Sequence, residues 1–283
     1  NYCDRWCERC PFTLRCSNYA LSEEQFSDAG DRDLRNERFW NNLGEVFRVT
    51  LEMLHDEAER RGLDLEAVNA SDVAKAELQI EAYSSNHECT RSAIAYSEQV
   101  EQWFDAAAPI FAEEARELEL KVQLDLPGSN PAAQAAKLRD AVDVIRWYQD
   151  LIGVKLERAV GSQLEEDKER DAEYPKDSDG SAKVALIAMD RSIAAWGTLL
   201  REFPSQEHSI LAILVHLQRL RRRTEEQFPE ARSFLRPGFD KTTEPAQTSE
   251  DLDGEIGRTS DCSRAAGQAD PDCSGSWPPP AES

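Results

Sequence analysis

Apolar residues return along most of this chain at intervals of three and four, the spacing that places them on one face of a helix. From Asp31 onward, Phe39, Leu43, Val46, Phe47, Thr50, Leu51 and Leu54 share one side of a first helix. Arg60 and Arg61 suit the negative end of its dipole, and Gly62 is a natural stop. A second helix, capped by Ser71 or Asp72, runs through Phe104. Pro109 removes a backbone donor and clashes with the preceding turn, so it is expected to kink or break this helix before 112–124 continues. A turn at 126–131 leads to a third helix from Ala132 to Asp167, with Leu138, Val142, Ile145, Ile152 and Leu156 as its inner stripe. A fourth helix, capped by Asp179 or Ser181, spans 182–203 and is apolar almost all round, which places it centrally. Pro204 ends it, and Ser205 caps a fifth helix over 208–228.

No alternation of strand period, fixed repeat or sustained heptad interrupts this pattern. The fold class read from it is all-α: an antiparallel bundle of five to six helices, covering 31–239. Trp40, Trp103, Trp147 and Trp196 fall one to a helix and read as core packing. Residues 240–283 are polar, acidic and rich in Pro, Ser and Gly, so they read as a disordered tail. Cys262 and Cys273 in that tail are taken as incidental.

Composition supports helix and narrows the partners. The 283 residues are 40% hydrophobic and 31% charged, with Ala, Leu, Glu and Arg abundant. The formal charge of −22 repels nucleic acid and anionic membranes, so neither is expected as a partner; a protein partner is. No apolar run is long enough to cross a bilayer. Between Cys16 and Cys262 only Cys89 occurs, which argues against a disulfide framework and for a reducing, cytoplasmic setting.

One segment breaks the cysteine scarcity. Residues 1–20 hold Cys3, Cys7, Cys10 and Cys16, four of the seven cysteines. Four thiolates are the number that closes a tetrahedral zinc site or a cubane cluster. On a helix Cys3, Cys7 and Cys10 would share a face, and Pro11 would let the chain fold back to deliver Cys16. Structural zinc sites usually separate two short pairs by a longer loop, whereas these ligands form one compact run followed by proline. The segment is therefore read as a [4Fe–4S] site for electron transfer or redox sensing, with structural zinc in an adaptor protein as the alternative. Arg5, Arg9 and Arg15 would offset its charge, and Trp6 and Phe12 would shield it or pin it to the helices. Cys3-x3-Cys7-x2-Cys10 also has the spacing of radical S-adenosylmethionine enzymes, but their β/α barrel is absent from the pattern and that reading is rejected.

Other candidates carry less. Glu52 and His55 form half of a di-iron bundle motif, and no second Glu-x-x-His exists, which leaves a ferritin-like oxidase as a minor alternative. His208 and His216 sit in an apolar stripe and read as hydrogen-bonded packing residues. Arg146, Lys155, Asp190 and Arg191 interrupt apolar helices and suggest a cross-helix ion network. Arg219, Arg221, Arg222 and Arg223 read as helix-end cations paired with Glu225 and Glu226. No phosphate loop, nucleophile elbow or zinc-protease motif is present, so no catalytic residue is assigned.

Overall fold

The computed structural model describes residues 2–26, 28, 30, 33–65, 69–124, 130–166 and 176–240. The regular structure among them is all helical: α1 (Ser17–Gln25), α2 (Glu37–Arg61), α3 (Ala70–Asn86), α4 (Glu88–Gln123), α5 (Pro131–Glu166), α6 (Asp177–Glu202) and α7 (Glu207–Gln227). Short 3-10 turns form at Cys7–Arg9, Thr13–Arg15 and Pro204–Gln206. The tail from 241, with Cys262 and Cys273, lies outside the described residues.

Four long helices carry the core. α5 packs against α6 and α4, and α7 closes against α4 and α6. Each neighbouring pair runs in opposite senses. Along α4 and α5, Ser97 meets Asp150, Glu101 meets Arg146 and Glu114 meets Gln134. Along α4 and α7, Glu88 meets Arg223, Ser92 meets His216 and Trp103 meets Ser209. Between them lie Tyr96, Val100, Ile145, Tyr148, Ile152, Met189, Trp196, Leu199, Ile210 and Leu217, all buried. The α5 stripe expected from the sequence is here, with Val142 partly buried at its edge. α6 buries residues on nearly every side, in keeping with its all-round apolarity. Trp196 donates from Nε1 to the Tyr96 hydroxyl (3.1 Å) and meets Trp103 edge to face at 4.9 Å. Such rings add about 0.5–1.5 kcal/mol per pair beyond their buried area.

Several helix boundaries differ from the sequence reading. The expected second helix divides at His87, not Pro109. His87 is extended (ψ 146°), and its Nδ1 accepts the Cys89 amide (3.2 Å), so it caps α4. Pro109 lies inside α4 on its exposed face, where the missing hydrogen bond leaves a carbonyl that water can reach. Asn36, Asn69 and Gln206 precede α2, α3 and α7, and the two asparagines cap by side chain; the expected Ser71, Asp72 and Ser205 do not. α6 starts earlier, at Asp177, so Asp179 and Ser181 are helical and not caps. Gly62 does end α2 in the left-handed conformation (φ 65°). Residues 17–25, read as the cysteine segment's end and a polar connection, form α1.

α2 holds the largest departure. Its apolar stripe does not join the core. Phe47, Leu51 and Leu54 are exposed, and Trp40 is 57% exposed with its Nε1 donating to Leu34 O (2.9 Å). Of the four tryptophans read as core, Trp103 and Trp196 are core, Trp147 is half-exposed and Trp40 is not core.

Candidate metal centre

The cysteine segment is not a helix. Arg5 takes a left-handed turn (φ 56°), and the 3-10 turns at Cys7–Arg9 and Thr13–Arg15 fold the chain back on itself. The shared helical face expected for Cys3, Cys7 and Cys10 therefore does not form. The folded loop instead places Cys3 and Cys10 on one cavity wall. All four thiols are free of disulfides and half-buried. The Cys7 thiol is pushed above its usual value by burial first, then by Glu8, Cys3, Cys10 and Cys16. Cys16 caps α1, its sulfur accepting the Tyr19 amide at 3.4 Å. Cys89 stands apart, buried in the first turn of α4 with its thiol raised by burial to about 11.

The segment is seated by specific contacts with distant parts of the chain. The Asp4 carboxylate accepts hydrogen bonds from the Tyr148 hydroxyl (2.7 Å), Arg191 (2.7 Å) and the Trp6 amide (3.2 Å). Burial, with Asp4 beside it, pushes the Tyr148 hydroxyl up to about 12. Asp4 O accepts from Trp147 Nε1 (3.0 Å). Trp6 stacks on Trp147 with ring centroids 4.9 Å apart and planes 15° from parallel. Arg9 lies over Trp6 (4.0 Å) and binds Asp140 (2.5 Å) and Asp143 (3.2 Å) on α5. On the other side, Tyr2 packs edge to face on Phe234 (5.0 Å), and Phe12 on Phe239 (5.4 Å). Arg15 donates to Gly238 O (2.5 Å). Gly180 on α6 is the seat of Tyr2: a Cβ there would run into the tyrosine ring and meet Phe234 Cζ at 2.8 Å.

Between segment and helices lies a cavity of about 270 Å³. Cys3, Cys10, Asp4, Trp6, Arg9 and Phe12 form one wall, and Tyr148, Arg191, Arg236 and Phe239 face them. Lys155, 8% exposed on α5, acts electrostatically with Cys3 and Arg5, and burial lowers its pKa. In a chain of charge −22, Arg5, Arg9, Arg15, Lys155, Arg191 and Arg236 thus gather around the cysteines. Among the described residues no three Cys, His, Asp or Glu side chains converge closely enough, as they stand, to hold a metal ion. The donor chemistry and the adjoining room suit a thiolate-bound centre, and binding would have to draw the sulfurs together.

The remaining candidates resolve into packing. Three of the four charges read as one network find other partners: Arg146 binds Glu101 and covers Phe104, Arg191 binds Asp4, and Asp190 binds Arg221 and Arg232. Arg221 and Arg223 thereby bridge to α6 and α4, across helices and not along their own. His216 is held by Ser92 and Gln99. Glu52 pairs with Arg48 on exposed α2, away from any second ligand set among the described residues. The sequence reading missed Asp4, Tyr148 and Gly180. Asp4 sits beside Cys3 and could have been marked as an anchor, whereas its partners are 144 and 187 residues away. Among the described residues no helix is long and apolar enough to cross a membrane. No family model, curated protein or solved structure matches the chain.

Proposed function

We propose that this chain is a metal-binding protein in which Cys3, Cys7, Cys10 and Cys16 hold a [4Fe–4S] cluster used for electron transfer or redox sensing. One observation carries the reading: four disulfide-free, half-buried thiols sit on a single seated loop, with Cys3 and Cys10 lining the adjoining cavity. Four thiolates drawn together would repel one another, and a bound cation centre would relieve that repulsion. When bound, the cluster would supply a one-electron couple whose potential depends on charge, hydrogen bonds to sulfur and solvent access. The chain's own groups act on each of these. Arg9, Arg191 and Arg236 line the cavity as compensating charge. The Tyr19 amide donates to Cys16 sulfur. Trp6, Phe12 and Phe239 restrict water. Helices α4–α7 act as the bundle that carries the seat, in a reducing, cytoplasmic setting where free thiols persist.

Structural zinc is the second reading, since four cysteines also complete a closed zinc site. The cavity beside Cys3 and Cys10 favours the cluster, because a cubane needs room that a single ion does not. The test is protein purified without oxygen, beside Cys7→Ser, examined by visible absorption and by iron, sulfide and zinc analysis. Broad visible absorption with equal iron and sulfide, lost in the variant, is the expected result. Colourless protein with equimolar zinc would replace the cluster by a structural staple. Absence of any metal would overturn both.

A further inference from the structure

We infer that the open apolar stripe of α2 is the docking face for a second copy of this chain, with the two α2 helices packed antiparallel. This surface is independent of the cysteines. Helix α2 is closed at both ends, by the Asn36 side chain and by Gly62, yet among the described residues no other helix packs along it. An amphipathic helix draws most of its stability from covering its apolar face, so this 25-residue helix lacks its main support while the stripe stays open. Trp40, Phe47, Leu51 and Leu54 fall within about 60° of one another around the helix, and each leaves 57–60% of its surface exposed. Trp40 is held ready: its Nε1 donates to Leu34 O (2.9 Å), and Phe39 meets it edge to face at 5.2 Å. Glu45, Arg48 and Glu52 pair with one another on the other side of the helix.

The order of residues along the stripe identifies the occupant. Trp40, Phe47, Leu54 and Arg61 recur every seven residues, close to two turns, and so lie in one row. Turned end for end, that row complements itself. Phe47 then faces Leu54 of the second copy, and Trp40 faces Arg61 of the second copy. An arginine over a tryptophan face is favourable, and these two residue types are enriched where interfaces bind most strongly. Arg61 is steadied by its hydrogen bond to Glu57 (2.6 Å) and remains 43% exposed. A parallel pair would instead set one Arg61 against the other. Charge permits the approach: α2 carries six acidic and four basic residues, a net of −2 in a chain of −22, so the seam itself adds little repulsion. The exposed parts of Trp40, Phe47, Leu51 and Leu54 amount to about 100–150 Å² each. Two copies thus bring about 1,000 Å² to the seam, the least that a specific interface needs, and the dimer is expected at micromolar concentrations.

The experiment is sedimentation of the full chain across a concentration series at low and high salt. The mass should rise from 31.9 kDa toward twice that value, and salt should favour the dimer by screening the like charge of the two copies. Phe47→Lys should weaken the dimer at least about tenfold, because it sets a cation against Leu54 of the second copy. Met53→Lys makes the same change in net charge away from the stripe and should alter the dimer less than about twofold. The double variant Phe47→Lys with Leu54→Glu restores the net charge and opposes unlike charges only in the antiparallel register, so it should bind severalfold tighter than Phe47→Lys alone. Far-ultraviolet dichroism checks that each variant keeps its helices. A chain that stays monomeric at every concentration would overturn the proposal and leave the stripe to a protein of another kind. Equal effects of Phe47→Lys and Met53→Lys would overturn the docking face, and a double variant no tighter than Phe47→Lys would overturn the antiparallel register.

Discussion

Gly180→Ala sets two physical effects against each other with opposite signs. In a helix, alanine is favoured over glycine by about 1 kcal/mol, so helix propensity alone makes the variant more stable. The seat of Tyr2 makes it less stable. A Cβ at 180 collides with the Tyr2 ring, which cannot stay where it is. Displacing it breaks the edge-to-face pair with Phe234, worth about 0.5–1.5 kcal/mol, and the hydrogen bond to Asp177, about 1.5–3 kcal/mol for a charged partner. Together the ring pair and the hydrogen bond outweigh the helix gain, and a net destabilisation of about 2 kcal/mol is expected. Urea unfolding followed by far-ultraviolet dichroism measures it. Tyr2→Ala supplies the control. With the ring gone, Phe234 can move aside, and Gly180→Ala should then stabilise by about 0.5–1 kcal/mol. If Gly180→Ala is stabilising while Tyr2 is present, the cysteine segment is not seated on α6 and the reasoning built on its dock fails.

Other outcomes follow from the same packing. Pro109→Ala should stabilise the protein by roughly 1–3 kcal/mol, because Pro109 lies exposed in mid-helix and α4 already continues through it; an unchanged urea midpoint would contradict this. Trp103→Phe removes the indole donor to Ser209 (3.1 Å) and shrinks the ring system packed on Trp196, and should cost about 1–3 kcal/mol in the same assay. The Asp240 carboxyl is held down to about 2 by its hydrogen bond with Arg236. Because its folded value is depressed, its contribution is complete above the unfolded value of about 3.9 and disappears as pH falls through about 2. A carboxyl carbon NMR titration should show that midpoint, and one near 4 would show the Arg236 contact absent in solution.

Much of the helical frame was legible because single residues punctuate it. Gly62 and Pro204 end helices through backbone constraints that act locally. The α5 stripe and the all-round apolarity of α6 reflect burial that period alone reveals. The break at His87 was not legible, since histidine is an uncommon cap and nothing apolar changes there. Nor was the exposure of α2, because an amphipathic stripe announces a face and does not say what covers it. At the candidate centre, residue type and spacing exposed the cysteines. The seat escaped because it is made of pairs such as Asp4 with Arg191, whose proximity is a product of the fold.

Both margins of the described chain meet on one face of α5 and α6, with Arg15 reaching across 223 residues to Gly238. That arrangement has a consequence in time. A ribosome adds about 5–20 residues each second, so the cysteines emerge tens of seconds before the turn that clasps them exists. Through that interval four thiols face solvent with no partner wall, open to oxidation or to capture of whichever metal is offered first. If the cysteines hold the proposed centre, its loading is a race run during synthesis, and the growing chain sets its clock.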